Sequence, residues 1–156
     1  MLSDPKHQRR LDRLTAPLRF APAVTRDLVS SVVLDACPRF AMLKKADTAA
    51  RIDQLIAADA WSDLALALIE IELPAWKLRR LVYEDGEWFC SLSRQPHLPV
   101  TLDDTVDARH EVLPLALLSA FVEARRSSGV TRETSSPTVP QVQPTSANAI
   151  CCDNYA

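Results

Sequence analysis

Glycine is scarce in this chain. Only Gly86 and Gly129 occur in 156 residues, so no glycine-rich loop can cradle a phosphate, and both the dinucleotide-binding fingerprint and the P-loop are excluded. Cysteine is sparse as well. Cys37, Cys90, Cys151 and Cys152 show no C-x-x-C spacing, so neither a zinc ribbon nor a dithiol redox motif is expected. The first residues carry charges where an apolar leader would run, and the expected setting is a reducing cytoplasm with free thiols. Long apolar runs are missing too. The longest, residues 112–122, is interrupted by Pro114 and Ser119 and is too short to span a bilayer, so no membrane partner is expected. Neither basic nor acidic residues dominate. A formal net charge of −2 gives no overall attraction to nucleic acid or anionic lipid.

The apolar and charged fractions, 47% and 24%, suit a globular chain long enough to bury one core. The densest information lies between Trp61 and Leu92, which holds all three tryptophans, Trp61, Trp76 and Trp88. Asp85-Gly86 sits between two β-prone runs. That dipeptide favours a type I′ turn, whose central residues both need positive φ. A two-residue loop sets Glu84 opposite Glu87, Tyr83 opposite Trp88, Val82 opposite Phe89, Leu81 opposite Cys90 and Arg79 opposite Leu92. Alternation then predicts one face of Leu81, Tyr83, Trp88, Cys90 and Leu92 packed on the core. The other face, with Leu78, Arg80, Val82, Phe89, Ser91 and Ser93, is mixed.

The segment before the hairpin, residues 61–72, reads as a helix capped by Ser62 or Asp59 and stopped at Leu73 by Pro74. Residues 69–73 also alternate as a strand would. Upstream, Thr25 is expected to cap a helix to about Ala36 with Leu28, Val29, Val32, Val33 and Ala36 inward. Residues 39–45 are expected to form a helical turn, and Asp47 or Thr48 to cap a helix to about Ala58. Downstream, Asp103, Asp104 or Thr105 is expected to cap a short helix reaching Arg109. A longer helix follows from Glu111 or Val112 to Arg126, because Pro114 is harmless only in a first turn. The fold class is therefore α+β, a small helical domain with one antiparallel β-hairpin in the order α-α-α-β-β-α.

Flanking it, residues 1–24 read as a flexible basic arm, with Pro5, Pro17 and Pro22 interrupting any long helix and Leu11, Leu14 and Leu18 sufficient for a short amphipathic turn. Residues 25–126 form the α+β domain. Residues 127–156 are rich in Ser, Thr, Pro and Gln and read as a disordered tail.

Chemistry-bearing clusters are thin. Cys90, His97, Asp103, Asp104 and His110 lack metal-site spacing, Ser91 and Ser93 lie in no nucleophile motif, and Glu70 and Glu72 fall on different sides of a helix. No catalytic residue, metal or cofactor is expected. The leading expectation is a non-catalytic cytoplasmic interaction or regulatory protein that contacts a protein partner or a second copy through the hairpin, with Leu78, Val82 and Phe89 as the contact residues. The alternative is nucleic-acid binding through Lys77, Arg79 and Arg80 with Arg9, Arg10 and Arg13 of the arm. Against it, the segment before the hairpin carries Asp63, Glu70 and Glu72 and no Lys or Arg, where a reading helix should be basic. A third reading, an enzyme with a cryptic pocket, would need His97, His110 and Asp103 to converge.

Overall fold

The structure, a computed structural model, describes residues 4–43 and 46–129. The protein is α+β. Its elements run α1 (Pro5–Phe20), α2 (Arg26–Ala36), α3 (Pro38–Met42), α4 (Ala46–Ala57), α5 (Trp61–Glu72), β1 (Lys77–Glu84), β2 (Glu87–Ser93), a 3-10 turn at Val100–Leu102, β3 (Thr105–His110) and α6 (Leu113–Gly129). No helix among the described residues is long and apolar enough to cross a membrane.

The helix α6 is the spine. Leu115, Leu117, Leu118, Ala120, Phe121, Val122 and Ala124 are all buried on it, and it packs on α1, α5, β2 and β3. Pro114 is its second residue, where the missing N–H has no intrahelical partner to lose. Its last turn continues through residues 127–129, three positions beyond the expected end. The rest of the expected tail, residues 130–156, lies outside the described residues.

The first correction concerns residues 1–24. Residues 5–20 do not belong to a flexible arm, because they form α1 and bury Leu11, Leu14 and Leu18 in the core. The prolines do not prevent it. Pro5 stands in the first turn behind an Asp4 cap that accepts from the Lys6 N–H at 2.9 Å, and Pro17 falls in the last turn. What reads as one amphipathic turn is the inward stripe of a sixteen-residue helix.

α1 and α6 are also joined by a polar contact. Arg125 Nη2 lies 3.2 Å from His7 Nε2. A guanidinium only donates, so the imidazole accepts at Nε2 and carries its proton on Nδ1. Burial, then the charges of Arg125 and Arg10, hold the His7 pKa below its ordinary value. The unfolded chain therefore binds a proton more readily, and stability falls as the pH drops through about 6.5 toward the lowered value. Denaturation midpoints measured from pH 7.5 to 5 are expected to decline over this window, and His7→Gln is expected to flatten that part of the profile.

Other caps follow the expectations in part. Thr25 Oγ1 accepts from the Leu28 N–H at 3.2 Å and starts α2. Residues 69–72 are helical and end at Leu73 before Pro74. Neither Ser62 nor Asp59 caps α5. Asp59 instead takes φ 50° and receives the Arg26 guanidinium at 3.2 Å, while Ala60 holds the N-cap without a side-chain bond. Asp47 lies inside the first turn of α4 rather than before it.

Glu72, the last residue of α5, is only 2% exposed. Its carboxylate accepts from the Phe40 N–H at 2.7 Å and the Arg39 N–H at 3.3 Å, two first-turn donors of α3 that lack intrahelical acceptors. Glu72→Ala leaves both donors without this partner and is expected to cost about 2 kcal/mol in chemical denaturation. Glu72→Gln keeps an acceptor oxygen and is expected to cost less.

The sheet has three antiparallel strands in the order β1-β2-β3. The hairpin register is as expected from Glu84↔Glu87 to Leu81↔Cys90, and Asp85 and Gly86 both take positive φ, 56° and 84°, as the type I′ turn requires. Two features differ. A bulge between Leu78 and Arg80 sets Leu78, not Arg79, opposite Leu92. The expected short helix over 103–109 is strand β3, paired from Thr105↔Ser93 to Trp88↔His110. Its residues alternate, with Val106, Ala108 and His110 more buried than Asp107 and Arg109, which is the burial pattern of a half-covered strand.

Candidate functional site

Directly opposite residues in an antiparallel pair share a face. The covered face of the sheet therefore carries Leu81, Trp88, Cys90, Leu92, Val106 and Ala108, all of which belong to or pack on the core. Tyr83 lies on the same side but is 59% exposed, because the hairpin tip projects past the helices, and its ring rests on Trp88 with centroids 5.3 Å apart. The expectation that Tyr83 packs on the core with the rest of this face is corrected accordingly.

The opposite face is the more open of the two, although Ser91 and Ser93 at one end of it are 6% and 0% exposed. At its centre Phe89 of β2 stands across from Val82 of β1 on one side and Arg109 of β3 on the other. The Arg109 guanidinium lies 4.7 Å from the Phe89 ring centroid, and the Arg80 guanidinium lies 5.6 Å from it. Arg80 also meets Glu84 at 2.9 Å, an exposed pair that contributes little to stability. Phe89 and Val82 are both half-buried. The result is a half-buried aromatic ring flanked by two cations, at the border of a cleft that α1 and α6 also line.

Of the three expected contact residues, Val82 and Phe89 are thus brought together. Leu78 is not. The bulge places it opposite Leu92, so it belongs to the covered side, at whose margin it is 40% exposed. The expected nucleic-acid set is also divided. Lys77 and Arg80 are exposed on β1, but Arg79 is held by Asp103 and the Leu98 carbonyl. Arg9, Arg10 and Arg13 are exposed on α1, which packs on α2 and α6, whereas β1 packs on β2.

Asp103 is a structural node. Its carboxylate accepts from Arg79, from Ser93 Oγ and from the Gln95 N–H at 2.9 Å. Burial works to raise its pKa, and these donors outweigh it, so the group sits below the ordinary carboxylate value. The node pins the 94–104 loop to the end of the sheet. It also removes Ser93 as a candidate nucleophile. His110 is buried at the far end of β3, where Nδ1 accepts from the Val112 N–H at 2.9 Å and fixes the turn into α6. At about 3.3 Å per strand residue, Asp103 and His110 are on the order of 20 Å apart, so the convergence needed for the cryptic-pocket reading does not occur. Among the described residues no group of three or more His, Cys, Asp or Glu could hold a metal ion. Burial raises the Cys37 thiol far above its usual value and the Cys90 thiol to about 12, which keeps both protonated and unreactive.

Sequence reasoning missed one concavity. A cleft of about 380 Å³ opens beside β3. Asp107, Ala108 and Arg109 of β3 form one wall, Thr15, Leu18 and Arg19 of α1 and Val122 and Glu123 of α6 form others, and Phe89 reaches it from the open face. The available signal was the alternation of residues 105–110, which identifies a third strand and hence an edge. Comparison with known families, curated proteins and solved structures found no match to this chain.

Proposed function

We propose that this chain is a small non-catalytic interaction module that engages a protein partner through the open face of its sheet. The observation that carries this reading is Phe89 held between Arg80 and Arg109, beside Val82, on the more open face of the sheet. Aromatic and arginine side chains are the residue types that dominate binding energy at protein interfaces. Two buried free thiols, Cys37 and Cys90, support residence in a reducing cytoplasm.

The test is comparative. Tagged full-length protein, Phe89→Asp, Val82→Asp and the control Leu34→Asp are purified from the native host, and the co-purifying proteins are quantified. Leu34 is 78% exposed on α2, away from the sheet. The expected result is loss of the same partner from both sheet variants and its retention by the control, with all four proteins folded by circular dichroism. Retention by every variant overturns the reading. A concentration-dependent dimer broken by Phe89→Asp identifies the partner as a second copy.

Nucleic-acid binding stands as a second reading on one observation. Arg9 and Arg13 are exposed one turn apart on α1, and of the acidic residues nearby Asp12 is paired with Arg126 and Asp4 caps the helix. A salt-sensitive mobility shift of mixed single-stranded DNA or RNA, removed by Arg9→Glu with Arg13→Glu, supports it, and no shift at low salt excludes it.

A further inference from the structure

The cleft beside β3 has an unusual lining. Successive strand residues point to opposite faces, yet Asp107, Ala108 and Arg109 all border it. The cleft therefore follows the edge of the strand rather than either face. β3 is the outer strand of the sheet, and its ladder to β2 is its only strand pairing among the described residues. Half of its backbone N–H and C=O groups point away from β2, and the cleft borders β3 at Asp107–Arg109.

The two sheet edges are treated differently. β1 is bulged at Arg79 and carries Lys77, Arg79 and Arg80, features that blunt an edge against pairing. β3 runs six residues without bulge or proline. Residues of α1 and α6 line the space beside it, about 380 Å³ in volume. The floor is apolar, with Leu18 and Val122.

The charges select the occupant. Glu123 is taken by Arg126 at 2.8 Å. Arg19 and Arg109 have no carboxylate within ion-pair distance among the described residues and lie on the rings of Phe20 and Phe89. Asp107 is the one acidic side chain at the cleft without a cation at that distance. Two such cations against one such anion favour an acidic ligand.

We infer that the cleft takes an extended acidic peptide, which pairs with the free edge of β3 as a fourth strand and sets a carboxylate between Arg19 and Arg109. Main-chain bonds along β3 supply affinity, and the apolar floor and the arginines supply selectivity. This inference rests on the interaction-module reading and names the kind of partner.

The test begins with selection of a random nine-residue peptide library on the full-length protein. Enriched peptides are expected to alternate apolar and Asp or Glu residues. A selected peptide is then titrated into isotope-labelled full-length protein. Slowed hydrogen exchange is expected at amides within Thr105–His110. Arg19→Glu and Arg109→Glu are each expected to weaken binding about tenfold or more, with unchanged melting of the free protein. N-methylation along the peptide is expected to abolish binding at alternate positions only, a readout that does not depend on how the protein tolerates mutation.

Several results overturn the inference: no enriched sequence, protection confined to β1, tolerance of N-methylation throughout, or equal binding of oligo-dT at the same amides. If β3 is protected in the full chain and loses that protection when residues 130–156 are deleted, the chain's own tail is the occupant and an external peptide is not. Loss of host partners by Val82→Asp, without β3 protection by any peptide, leaves the interaction module standing and removes only the β3 site. The opposite pattern removes the open-face reading.

Discussion

Removing residues 1–20 is expected to abolish cooperative unfolding. The truncation strips Leu11, Leu14 and Leu18, which are 0%, 3% and 1% exposed, from a seam on α2 and α6. A buried leucine truncated to alanine costs about 2–5 kcal/mol, so the three together approach about 6–15 kcal/mol. That equals the whole stability of an ordinary domain, about 5–15 kcal/mol. The truncated chain should give a broad, shallow thermal trace and bind a hydrophobic dye. Leu14→Ala alone should leave a cooperative transition at reduced denaturant midpoint. A truncated chain that melts as sharply as the full protein would show that α1 is dispensable to the core.

Trp76→Ala carries the second large effect. Trp76 is 4% exposed at the turn between α5 and β1. Its Nε1–H donates to Ser128 Oγ at 3.1 Å, and the Arg94 guanidinium lies 5.8 Å from its ring. The side chain therefore ties the start of the sheet to the last turn of α6. Substitution by alanine is expected to cost about 3–5 kcal/mol, from lost burial and the cavity left behind. Trp76→Phe keeps most of the volume and loses the indole donor, so it should cost about 1 kcal/mol. Ser128 still donates to the Ala124 carbonyl at 2.8 Å in that variant. Urea denaturation of the two variants separates packing from hydrogen bonding. Ending the chain after Ser127 should cost at least as much as Trp76→Phe, since it removes the acceptor and leaves the buried indole N–H without this partner.

The hairpin was legible because its information is local. Asp85-Gly86 fixes the turn, and the turn fixes the register of the residues beside it. The bulge at Arg79 was not legible, since nothing in the side-chain alternation marks an extra backbone residue. That one residue carried Leu78 from the open face to the covered one. α1 was hidden by counting Pro5 and Pro17 as breakers when their positions within a helix decide whether they break anything. β3 was hidden by Asp103, Asp104 and Thr105, which resemble a helix cap, and its pairing with β2 is not written within its own six residues. The site followed the same division. Val82, Phe89 and Arg80 stood out on elements correctly read. Arg109 and Arg19 did not, because they belong to the two elements that were misread.

The docking of α1 on α6 has a consequence for synthesis. α1 must wait for α6, which is made more than a hundred residues later. At roughly 5–20 residues per second, the stretch from Phe20 to Gly129 takes on the order of 5–20 s to translate. During that interval α2 offers the leucine stripe of α1 only partial shelter, and the seam that completes its burial does not yet exist. The nascent chain thus presents Leu11, Leu14 and Leu18 to the cell before the native partner arrives, which makes this stripe a natural target for a ribosome-associated chaperone.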